Sequence, residues 1–368
     1  MSRCALIMAG GTGGHVFPAL ALAEQLRTQG WRVVWLGTAQ GMEVQWVSAG
    51  HFPLETIAMG GVRGKGWGRR LWAPFMVMRA IFQSMGAILR QRPHVVIGFG
   101  GYVALPGGLA AVLLRLPLLI HEQNAVAGLT NRLLGRLAQK VFEGFPGSFR
   151  QPSGHPLASW LGCPKVVETV GNPVRRTIID LPEPRLRFAP RRGNLRLLVL
   201  GGSQGAQALN QWIPRALALI PPAERPMVVH QGGVRHQTEL EANYREMGVQ
   251  GDLRPFIEDM AAAYAECDLV ICRAGALTLA ELTAAGVGSV LVPYPAAVDD
   301  HQTANARFLE SAGAACLWPQ PQLEAAALAQ WLQGQTRLLL LGMADAARRL
   351  FQGSAVARLS QVCEEMAG

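Results

Sequence analysis

One stretch of the chain combines a predicted strand, a glycine turn and a helix that carries a carboxylate near its start. The apolar residues Leu269 to Cys272 predict a strand, Gly275 predicts a turn, and the small and apolar residues from Ala276 onward predict a helix. The first N–H groups of such a helix have no partner inside it and attract a phosphate. Glu281 follows within about two turns and could accept hydrogen bonds from both ribose hydroxyls. The alternative is a buried strand, turn and helix with Glu281 at the surface, and these residues alone do not decide.

Two glycine-rich loops follow apolar strands in different halves of the chain. Residues 10–14 come after the first strand and end at His15, and residues 201–205 contain Ser203. A dinucleotide-binding fold would place a carboxylate at the end of the second strand, but that strand ends Leu36-Gly37-Thr38, which makes NAD an unlikely ligand. Both loops instead offer backbone N–H groups to anions. Two such loops suggest a diphosphate ligand or two phosphate-bearing substrates.

Two further clusters offer polar chemistry. His15 is placed to reach a ligand above the first glycine loop, and an imidazole with an ordinary pKa of ~6.5 can act as a general base near neutral pH. A structural or surface histidine is the alternative. Asp299, Asp300 and His301 resemble a set of metal ligands. Neighbouring Asp residues in a loop are more often caps and turn formers, so we expect no metal site.

Positive charge is concentrated in one stretch of the chain. Residues 56–121 contain no Asp or Glu and eight Lys or Arg, which is nearly all of the net charge of +9. Aromatic residues such as Trp67, Trp72 and Phe75 lie between these charges. This mixture suits an anionic membrane surface. Nucleic acid is the competing partner, and a helix with one buried face and one solvated basic face is the third possibility.

Composition limits the class of protein. We expect a cytoplasmic chain, because the N-terminal residues lead directly into a short strand without a cleavable apolar stretch. Residues 95–114 are uncharged and long enough to cross a membrane, but glycines and prolines interrupt them and favour a buried strand, a turn and a helix. The six cysteines form no C-x-x-C pair, so we predict buried thiols and neither zinc nor disulfides.

The order of elements predicts two α/β domains. Short apolar strands alternate with longer helical segments, which is typical of a doubly wound parallel sheet. The chain repeats its opening layout of strand, glycine loop and helix at residue 201, after a stretch rich in Pro and charge at residues 181–196. The sequence therefore predicts a second, similar domain that begins near this stretch.

Five motifs resemble those of the MurG family, bacterial N-acetylglucosaminyltransferases that complete lipid II. They occur in the family's order and spacing over essentially the whole chain. Two departures lie outside the glycine loops, with Ala274 where Ser is common and His301 where some relatives have Gln. The motifs are Gly10-Gly11-Thr12-Gly13-Gly14-His15-Val16-Phe17-Pro18-Ala19, His121-Glu122-Gln123-Asn124, Gly171-Asn172-Pro173-Val174-Arg175, Gly201-Gly202-Ser203-Gln204-Gly205-Ala206, and the stretch from Ile271 to Asn305.

The resemblance implies a GT-B fold, in which two Rossmann-like parallel-sheet domains face a cleft. It implies an N-terminal domain over residues 1–172 on the acceptor and membrane side and a donor-binding domain over 173–340. Residues 341–368 would form a C-terminal helix that packs back on the N-terminal domain. The implied reaction is inverting transfer of N-acetylglucosamine from UDP-GlcNAc to the C4 hydroxyl of lipid I, which forms lipid II. A related UDP-sugar transferase acting on another membrane lipid is the alternative.

The resemblance also assigns roles to individual residues. Arg175 and Ile257 would hold the uracil, Ser203 the diphosphate, Glu281 the ribose, and Gln302 and Asn305 the sugar hydroxyls. His15 would be the base, with Glu122 as a second candidate that is more simply explained as a structural residue. Backbone groups of Ala276, Leu277, Thr278, Leu279 and Ala280 would meet the diphosphate, and Thr12, Gly13, Gly14 and Asn124 would complete the site.

The implied setting is the cytoplasmic face of the bacterial plasma membrane. UDP-GlcNAc and lipid I are the expected substrates, other cell-wall synthesis proteins are possible partners, and neither a cofactor nor a nucleic acid is expected. A lipid-linked acceptor stays in the membrane, so the basic and aromatic block would dock on anionic lipid. Its residues are Arg63, Lys65, Trp67, Arg69, Arg70, Trp72 and Phe75.

Overall fold

The computed structural model describes residues 2–41, 43–59, 67–150, 164, 166–202, 205–297 and 300–368, with the backbone alone for residues 67–73. The chain forms two compact units. Unit 1 consists of Met1–Val174 and Gln352–Gly368, and unit 2 of Arg175–Phe351. Each unit has its own parallel sheet and its own core.

Unit 1 contains a sheet of seven described strands in the order β3-β2-β1-β4-β5-β6-β7, all of them parallel. Its elements are β1 (Cys4–Met8), α1 (Gly13–Thr28), β2 (Arg32–Gly37), α2 (Glu43–Ala49), β3 (Leu54–Thr56), α3 (Trp67–Gln91), β4 (Val95–Gly98), α4 (Ala104–Leu113), β5 (Leu118–Glu122), α5 (Leu129–Gly135), β6 (Lys140–Glu143) and β7 (Glu168–Thr169).

Unit 2 contains a sheet of six described parallel strands in the order β10-β9-β8-β11-β12-β13. Its elements are α6 (Arg176–Ile179), α7 (Pro184–Phe188), β8 (Arg196–Leu200), α8 (Gln207–Ala218), β9 (Met227–Gln231), α9 (Gln237–Glu246), β10 (Asp252–Arg254), α10 (Met260–Glu266), β11 (Leu269–Cys272), α11 (Ala276–Ala285), β12 (Ser289–Leu291), α12 (His301–Ser311), β13 (Ala315–Leu317), α13 (Ala325–Gln333) and α14 (Arg337–Arg349).

The apolar strands are buried because helices cover both faces of each sheet. In unit 1, Ala5 and Ile7 of β1 belong to the core on one face, and Leu6 and Met8 belong to the core on the other. All five residues of β1 are therefore buried, which explains why the strand is apolar throughout instead of alternating. The predicted fold class, two α/β units with doubly wound parallel sheets, is confirmed.

The last helix, α15 (Ala355–Met366), belongs to unit 1. Its Leu359 and Val362 lie in the core of that unit, and Arg358 binds Glu168 of β7 through two hydrogen bonds of 2.6 and 3.1 Å. The chain leaves unit 1 after residue 174 and returns at 352. The segments at which the chain leaves and re-enters unit 1 lie side by side, since a Cβ atom at Gly171 would lie 3.2 Å from Cβ of Gln352.

The unit boundaries differ from the predicted domain boundaries. The first division falls after residue 174 instead of 172, and the second falls after residue 351 instead of 340. The second difference has a clear cause. α14 is a continuous helix whose Leu340 and Ala344 are buried in the core of unit 2, so residues 341–351 stay with that unit.

The uncharged stretch at residues 95–114 forms β4, a turn and α4. Within the described residues, no helix has the length and apolar character that a membrane crossing needs. The described cysteines are free thiols, and Cys4, Cys267, Cys272 and Cys363 are buried.

Candidate active site

The strand order of unit 1 reverses between β1 and β4, which opens a crevice at the carboxyl ends of these strands. The loops that follow the two strands contain Gly11 and Gly101, whose φ angles are 92° and 82°. A Cβ atom at Gly101 would lie 2.2 Å from the carbonyl oxygen of Gly10. Only glycine allows this approach, and the contact holds the glycine turn that precedes α1.

His15 lies in the first turn of α1 and is half-buried. Its Nδ1 is 3.1 Å from the hydroxyl oxygen of Thr12. A Cβ atom at Gly100 would lie 3.1 Å from Nε2, so this glycine keeps space beside that nitrogen. When Nδ1–H donates to the Thr12 hydroxyl, Nε2 is the unprotonated nitrogen. This tautomer is the one that a general base requires.

The residues around His15 fit the predicted anion site. Thr12 is the N-cap of α1 and has an extended backbone, and its side chain makes no capping hydrogen bond. Thr12 and Gly14 are exposed, and Gly13 is half-buried. The first N–H groups of a helix have no acceptor within the helix, so this turn can present them to a phosphate.

Glu122 ends β5 and is 2% exposed. Its Oε1 accepts hydrogen bonds from the backbone N–H and the side-chain amide of Asn124, at 2.9 and 3.3 Å. Its Oε2 accepts from the Gly128 N–H at 3.1 Å and from the Asn131 amide at 2.8 Å. A carboxylate can accept about four hydrogen bonds, so these four donors fill the acceptor capacity of Glu122. The geometry therefore favours Glu122 as the residue that orients the loop carrying Asn124, and not as the base.

His121, next to Glu122, is fully buried and neutral. Its Nε2 donates to the carbonyl of Gly171 at 2.9 Å, and its Nδ1 accepts from the Gln123 amide at 3.0 Å. Burial lowers the pKa of His121 to about 4. The side chain thus connects the end of β5 to the Gly171 segment of unit 1 through directed, uncharged hydrogen bonds.

Unit 2 has the corresponding reversal between β8 and β11. The glycine loop after β8 contains Gly202 and Gly205, with φ angles of 76° and 78°. A Cβ atom at Gly205 would lie 2.6 Å from the carbonyl oxygen of Gly232, which follows β9. Ser203 lies outside the described residues, so its contact with a diphosphate stays a prediction.

Three buried side chains hold the loops around Gly205 and Gly232. The Asn210 amide donates to the Gly232 carbonyl at 3.1 Å, so its oxygen accepts from Nε2 of His230, also at 3.1 Å. Nδ1 of His230 then accepts from the Tyr244 hydroxyl at 3.0 Å. Burial lowers the pKa of His230 to about 3 and raises that of Tyr244, so both are neutral.

Glu281 lies on α11 with its carboxylate partly open to solvent, the side chain being 20% exposed. Oε1 accepts from Arg175 at 3.0 Å, and Oε2 accepts from the Tyr264 hydroxyl, also at 3.0 Å. Tyr264 is fully buried, and its backbone carbonyl accepts from Arg187 at 2.9 Å. Unit 2 therefore brings together Arg175 and Glu281, the residues predicted to hold the uracil and the ribose.

The start of α11 is open in the way that a diphosphate site needs. Gly275 is the N-cap and has no side chain to satisfy the first N–H groups. Leu277, Thr278 and Ala280 are half-buried, whereas Ala276 and Leu279 are 7% and 0% exposed and pack inward. Any ligand contact of Ala276 and Leu279 must therefore come from their backbone.

Two predicted donor contacts are buried. Asn305 is fully buried, and its amide donates to the carbonyl of Ala274 at 3.1 Å. Tertiary packing turns this side chain toward the loop that begins α11, and its contact with a sugar hydroxyl stays a prediction. Ile257 is 3% exposed, so a contact with uracil would have to use its backbone.

Gln302 and Arg273 fix the loop after β12. The side-chain oxygen of Gln302 accepts from the Tyr294 N–H at 2.9 Å, which leaves the amide end of Gln302 for other partners. Arg273 donates to the carbonyls of Val292 and Pro293 at 3.1 and 3.2 Å, and burial lowers its pKa. The loop that these residues hold leads into α12, which carries both predicted sugar contacts.

Among the described residues, no group of three or more His, Cys, Asp or Glu side chains is arranged to hold a metal ion. Asp300 accepts from the Thr303 hydroxyl at 2.6 Å, and Asp299 lies outside the described residues. A cavity of about 1210 Å³ in unit 2 lies near the amino ends of β8, β9 and β10. These ends are opposite to the edge that carries the glycine loop, so the cavity is separate from the site.

Of the predicted membrane block, Phe75 is described and is 69% exposed on α3. Met78 and Phe82 continue the same helical stripe and are 55% and 64% exposed. Arg63 and Lys65 lie outside the described residues. The side chains of Trp67, Arg69, Arg70 and Trp72 do as well.

Several site residues were not predicted. Tyr264 and the Gly100–Tyr102 loop contact predicted residues, and Glu43 lies beneath the first glycine turn with no exposed surface. The adjacent glycines after β4 were a usable signal, because the sequence shows the same pattern after β1. No sequence pattern links Tyr264 to Glu281, because they lie on different helices, α10 and α11, and meet only through tertiary packing.

Two family models cover most of the chain. The glycosyltransferase family 28 N-terminal domain matches residues 5–143, and the family 28 C-terminal domain matches residues 196–348. The first range falls in unit 1 and the second in unit 2.

Curated relatives match over their full length. The UDP-N-acetylglucosamine--N-acetylmuramyl-(pentapeptide) pyrophosphoryl-undecaprenol N-acetylglucosamine transferase of Thiobacillus denitrificans is 53% identical over 100% of this chain and 99% of its own. The enzyme of the same name from Nitrosomonas europaea is 51% identical over 99% of both chains.

Solved structures show the same fold. MurG of Acinetobacter baumannii superposes with a TM-score of 0.85 at 40% identity over 99% of both chains. The calicheamicin glycosyltransferase CalG4 has a TM-score of 0.67 at 17% identity over 100% of this chain and 98% of its own, which is a likeness of fold alone. The chain belongs to glycosyltransferase family 28, and within it to the MurG family that the motifs predicted.

Proposed function

We propose that this protein transfers N-acetylglucosamine from UDP-GlcNAc to the C4 hydroxyl of lipid I and so forms lipid II for peptidoglycan synthesis. Relatives of that activity match the entire chain at about 50% identity. The observation that carries the proposal is Glu281, a partly exposed carboxylate near the open N-terminus of α11, with Arg175 and Tyr264 on its two oxygens.

Unit 2 provides the donor site in this proposal. Glu281 accepts the ribose hydroxyls, and Arg175, which is 53% exposed and able to move, lies beside the uracil. The first N–H groups of α11 meet the diphosphate, with the positive end of the helix dipole opposite the charge that grows on the leaving group. Gln302 uses its amide end to meet a sugar hydroxyl, and Ser203 adds a hydroxyl to the diphosphate.

Unit 1 provides the base. Inversion needs one group to take the proton of the incoming hydroxyl, stabilisation of the departing diphosphate, and no covalent intermediate. His15 takes that proton on Nε2 while Thr12 accepts from Nδ1–H and stabilises the imidazolium that forms. Gly13 and Gly14 offer backbone N–H groups to a substrate phosphate, and Glu122 and Asn124 shape the loop beside them.

The proposed reaction uses no cofactor. Helix N-termini and backbone donors meet the charge of the leaving group, so transfer should continue in the presence of EDTA. Loss of activity in EDTA that returns with magnesium would contradict this part of the proposal.

We also propose that unit 1 docks on the cytoplasmic face of the plasma membrane. On α3, Phe75, Met78 and Phe82 recur at helical spacing and are more than half exposed. This stripe lies in the stretch that contains eight basic residues and no acidic ones. Such a helix binds by inserting apolar side chains among the headgroups while its cations attract anionic lipid.

The donor proposal is tested by thermal shift with nucleotide sugars. UDP-GlcNAc should raise the melting temperature, and at about 100 times its Kd the stabilisation should be about 2.7 kcal/mol. UDP-glucose and GDP-mannose serve as controls for sugar and base. No shift with UDP-GlcNAc overturns the donor assignment. The two acceptor hypotheses are then separated by comparing the rate of sugar transfer to lipid I with the rate of transfer to another polyprenyl lipid or to diacylglycerol.

Membrane docking is tested by sedimentation with anionic vesicles. The double variant Phe75→Ser and Phe82→Ser should lose most of its binding. The matched control is Leu338→Ser, because Leu338 is 78% exposed but lies on α14 of unit 2. Equal binding of the double variant and the control would contradict docking through α3.

A further inference from the structure

One carboxylate of unit 1 has no part in the proposed chemistry and yet lies directly beneath the glycine turn that precedes His15. Glu43 is the first residue of α2 and has no exposed surface. Its side chain lies where the loops after β1 and β2 meet. A Cβ atom at Gly10 or at Gly37 would come within 3.0 Å of Glu43 side-chain atoms, and one at Gly41 within 2.2 Å. Three glycines therefore leave the space that this one side chain fills.

The hydrogen bonds of Glu43 connect two of these loops. Its Oε1 accepts from both the N–H and the hydroxyl of Thr38 at 2.9 Å. Its Oε2 accepts from the N–H of Gly11 at 3.4 Å, a long bond that points the N–H into the protein. Within the described residues, the carboxylate thus accepts three hydrogen bonds, all from the loops after β1 and β2.

The opposite side of the glycine turn is also closed. A Cβ atom at Gly11 would lie 3.2 Å from the ring of Tyr102, and the Tyr102 hydroxyl is 3.5 Å from that of Thr38. The backbone of Gly101 touches the carbonyl of Gly10, as described above. The turn is therefore held between Glu43 on one side and the loop after β4 on the other.

We propose that Glu43 is a positioning residue for the base, which rests on the function proposed above. By holding Gly10 and Gly11, the carboxylate sets where the next residue, Thr12, lies. Thr12 in turn holds Nδ1 of His15 at 3.1 Å. Burial of a polar side chain is costly unless hydrogen bonds satisfy it, and the hydrogen bonds that satisfy Glu43 are the ones that hold the turn.

Glu43→Gln tests the role with little change in volume. Glutamine has one acceptor oxygen, so its NH₂ group must face either the two Thr38 donors or the Gly11 N–H. We expect kcat to fall roughly 10-fold to 100-fold, a loss of about 1.4 to 2.7 kcal/mol in transition-state stabilisation. KM for UDP-GlcNAc and the thermal shift that it produces should stay within about two-fold, because unit 2 is unchanged.

The matched control is Glu143→Gln. Glu143 is another buried carboxylate of unit 1 that accepts from backbone N–H groups, those of Gly147 and Ser148 at 2.7 and 2.9 Å, and from the Thr169 hydroxyl at 2.8 Å. It lies at the end of β6, away from the glycine turn. Glu143→Gln should lower the melting temperature to a similar extent and leave kcat unchanged. Equal kcat in the two variants would overturn the proposal.

A double-mutant cycle with His15→Ala separates positioning from a general structural effect. If Glu43 acts through His15, then Glu43→Gln should cost less than about two-fold in the His15→Ala background. The same cost in both backgrounds would overturn the proposal. If Glu43→Gln does not fold, Thr38→Val is the milder variant, since it removes the hydroxyl donor and keeps the N–H; we expect a loss of roughly three-fold with the same dependence on His15.

Hydrogen exchange provides a readout that does not need transfer activity. Peptides covering residues 9–16 should exchange faster in Glu43→Gln than in wild type, and Glu143→Gln should leave them unchanged. Unchanged exchange of this segment in Glu43→Gln would overturn the proposal. Absence of transfer by the wild-type protein, with faster exchange in Glu43→Gln, would count against the function and not against the role of Glu43 in holding the turn.

Discussion

The two units use carboxylates in opposite ways at the carboxyl edges of their sheets. In unit 1, Glu43 and Glu122 are 0% and 2% exposed, and both accept hydrogen bonds from backbone N–H groups of loops. In unit 2, the Glu281 side chain is 20% exposed, and its partners are the side chains of Arg175 and Tyr264. The first pair holds loops, whereas the third carboxylate is partly open to solvent and is the one that we propose meets a ligand.

The type of partner explains this difference. A carboxylate bound to backbone N–H groups cannot release them without a rearrangement of the loop, whereas a side chain such as Arg175 can turn away and leave its place to a hydroxyl. Burial then separates the two uses, because a ligand must reach the oxygen that binds it. We therefore expect Glu43 and Glu122 to position loops and Glu281 to bind the donor, and the following variants test that division.

The largest effect is expected from His15→Ala, which removes the proposed base in unit 1. The value of kcat should fall roughly 100-fold to 10,000-fold, the range for loss of general base catalysis. The stabilisation by UDP-GlcNAc should be unchanged, because the proposed ribose and diphosphate contacts lie in unit 2. Single-turnover transfer and thermal shift measure the two quantities. If the variant kept the full kcat of wild type, His15 would not be the base.

Glu281→Gln should have the next largest effect, and on binding. Hydrogen bonds to a charged group contribute about 1.5 to 3 kcal/mol, so UDP-GlcNAc affinity should fall roughly 10-fold to 100-fold. Isothermal titration with UDP and with UDP-GlcNAc should show the same loss, since the ribose is common to both. Glu122→Gln is the comparison variant, and we expect it to lower stability and leave donor affinity intact. Equal donor affinities in the two variants would contradict the proposal that Glu281 binds the donor and Glu122 only holds a loop.

Acid should weaken both units through their buried histidines. The folded-state pKa values of about 4 for His121 and about 3 for His230 lie below the ~6.5 of an unfolded imidazole. Between these values the unfolded chain binds more protons, so stability is complete above pH 6.5 and falls as the pH drops. Each histidine should account for about 2 kcal/mol of lost stability by pH 5.

Urea unfolding near pH 7.5 and near pH 5 measures this loss. His121→Gln and His230→Gln cannot gain the charge, so each variant should show a smaller difference between the two pH values than wild type. A difference as large as that of wild type in both variants would mean that other groups cause the acid sensitivity.

The smallest effect is expected from Tyr264→Phe, which removes one hydrogen bond to Glu281. A neutral donor contributes about 1 kcal/mol, so donor affinity should fall roughly five-fold. At saturating UDP-GlcNAc, kcat should be unchanged, because the hydroxyl orients a binding group and meets no reacting atom. A fall in kcat without a change in affinity would assign Tyr264 a different role.

The strands and turns of the two sheets were predictable because they depend on local sequence patterns. Strands covered on both faces must be apolar throughout, as β1 and β4 are, and glycines after them mark the turns that lead into helices. The family resemblance added the predicted donor residues, and the structure brings two of them, Arg175 and Glu281, into contact.

The rest depends on tertiary packing that local patterns do not specify. Gln302 and Asn305 are three residues apart on one helix, yet Asn305 is buried and binds Ala274, so equal roles could not be assigned to them. The same limit applies to Glu43 and Tyr264, whose partners are distant in the chain. The second boundary was misplaced because helical composition continues through α14 and α15, and composition does not show which core a helix joins.

The neighbouring exit and return of the chain at Gly171 and Gln352 give unit 2 the character of an inserted domain. Unit 1 is interrupted at one place along the chain, after residue 174, and resumes at residue 352. We therefore expect that residues 175–351 can be exchanged as one segment, with the two junctions kept in place. A chimaera that takes this segment from a family 28 relative with another sugar donor should change the donor and keep the acceptor, which is a modular route for such enzymes to diverge.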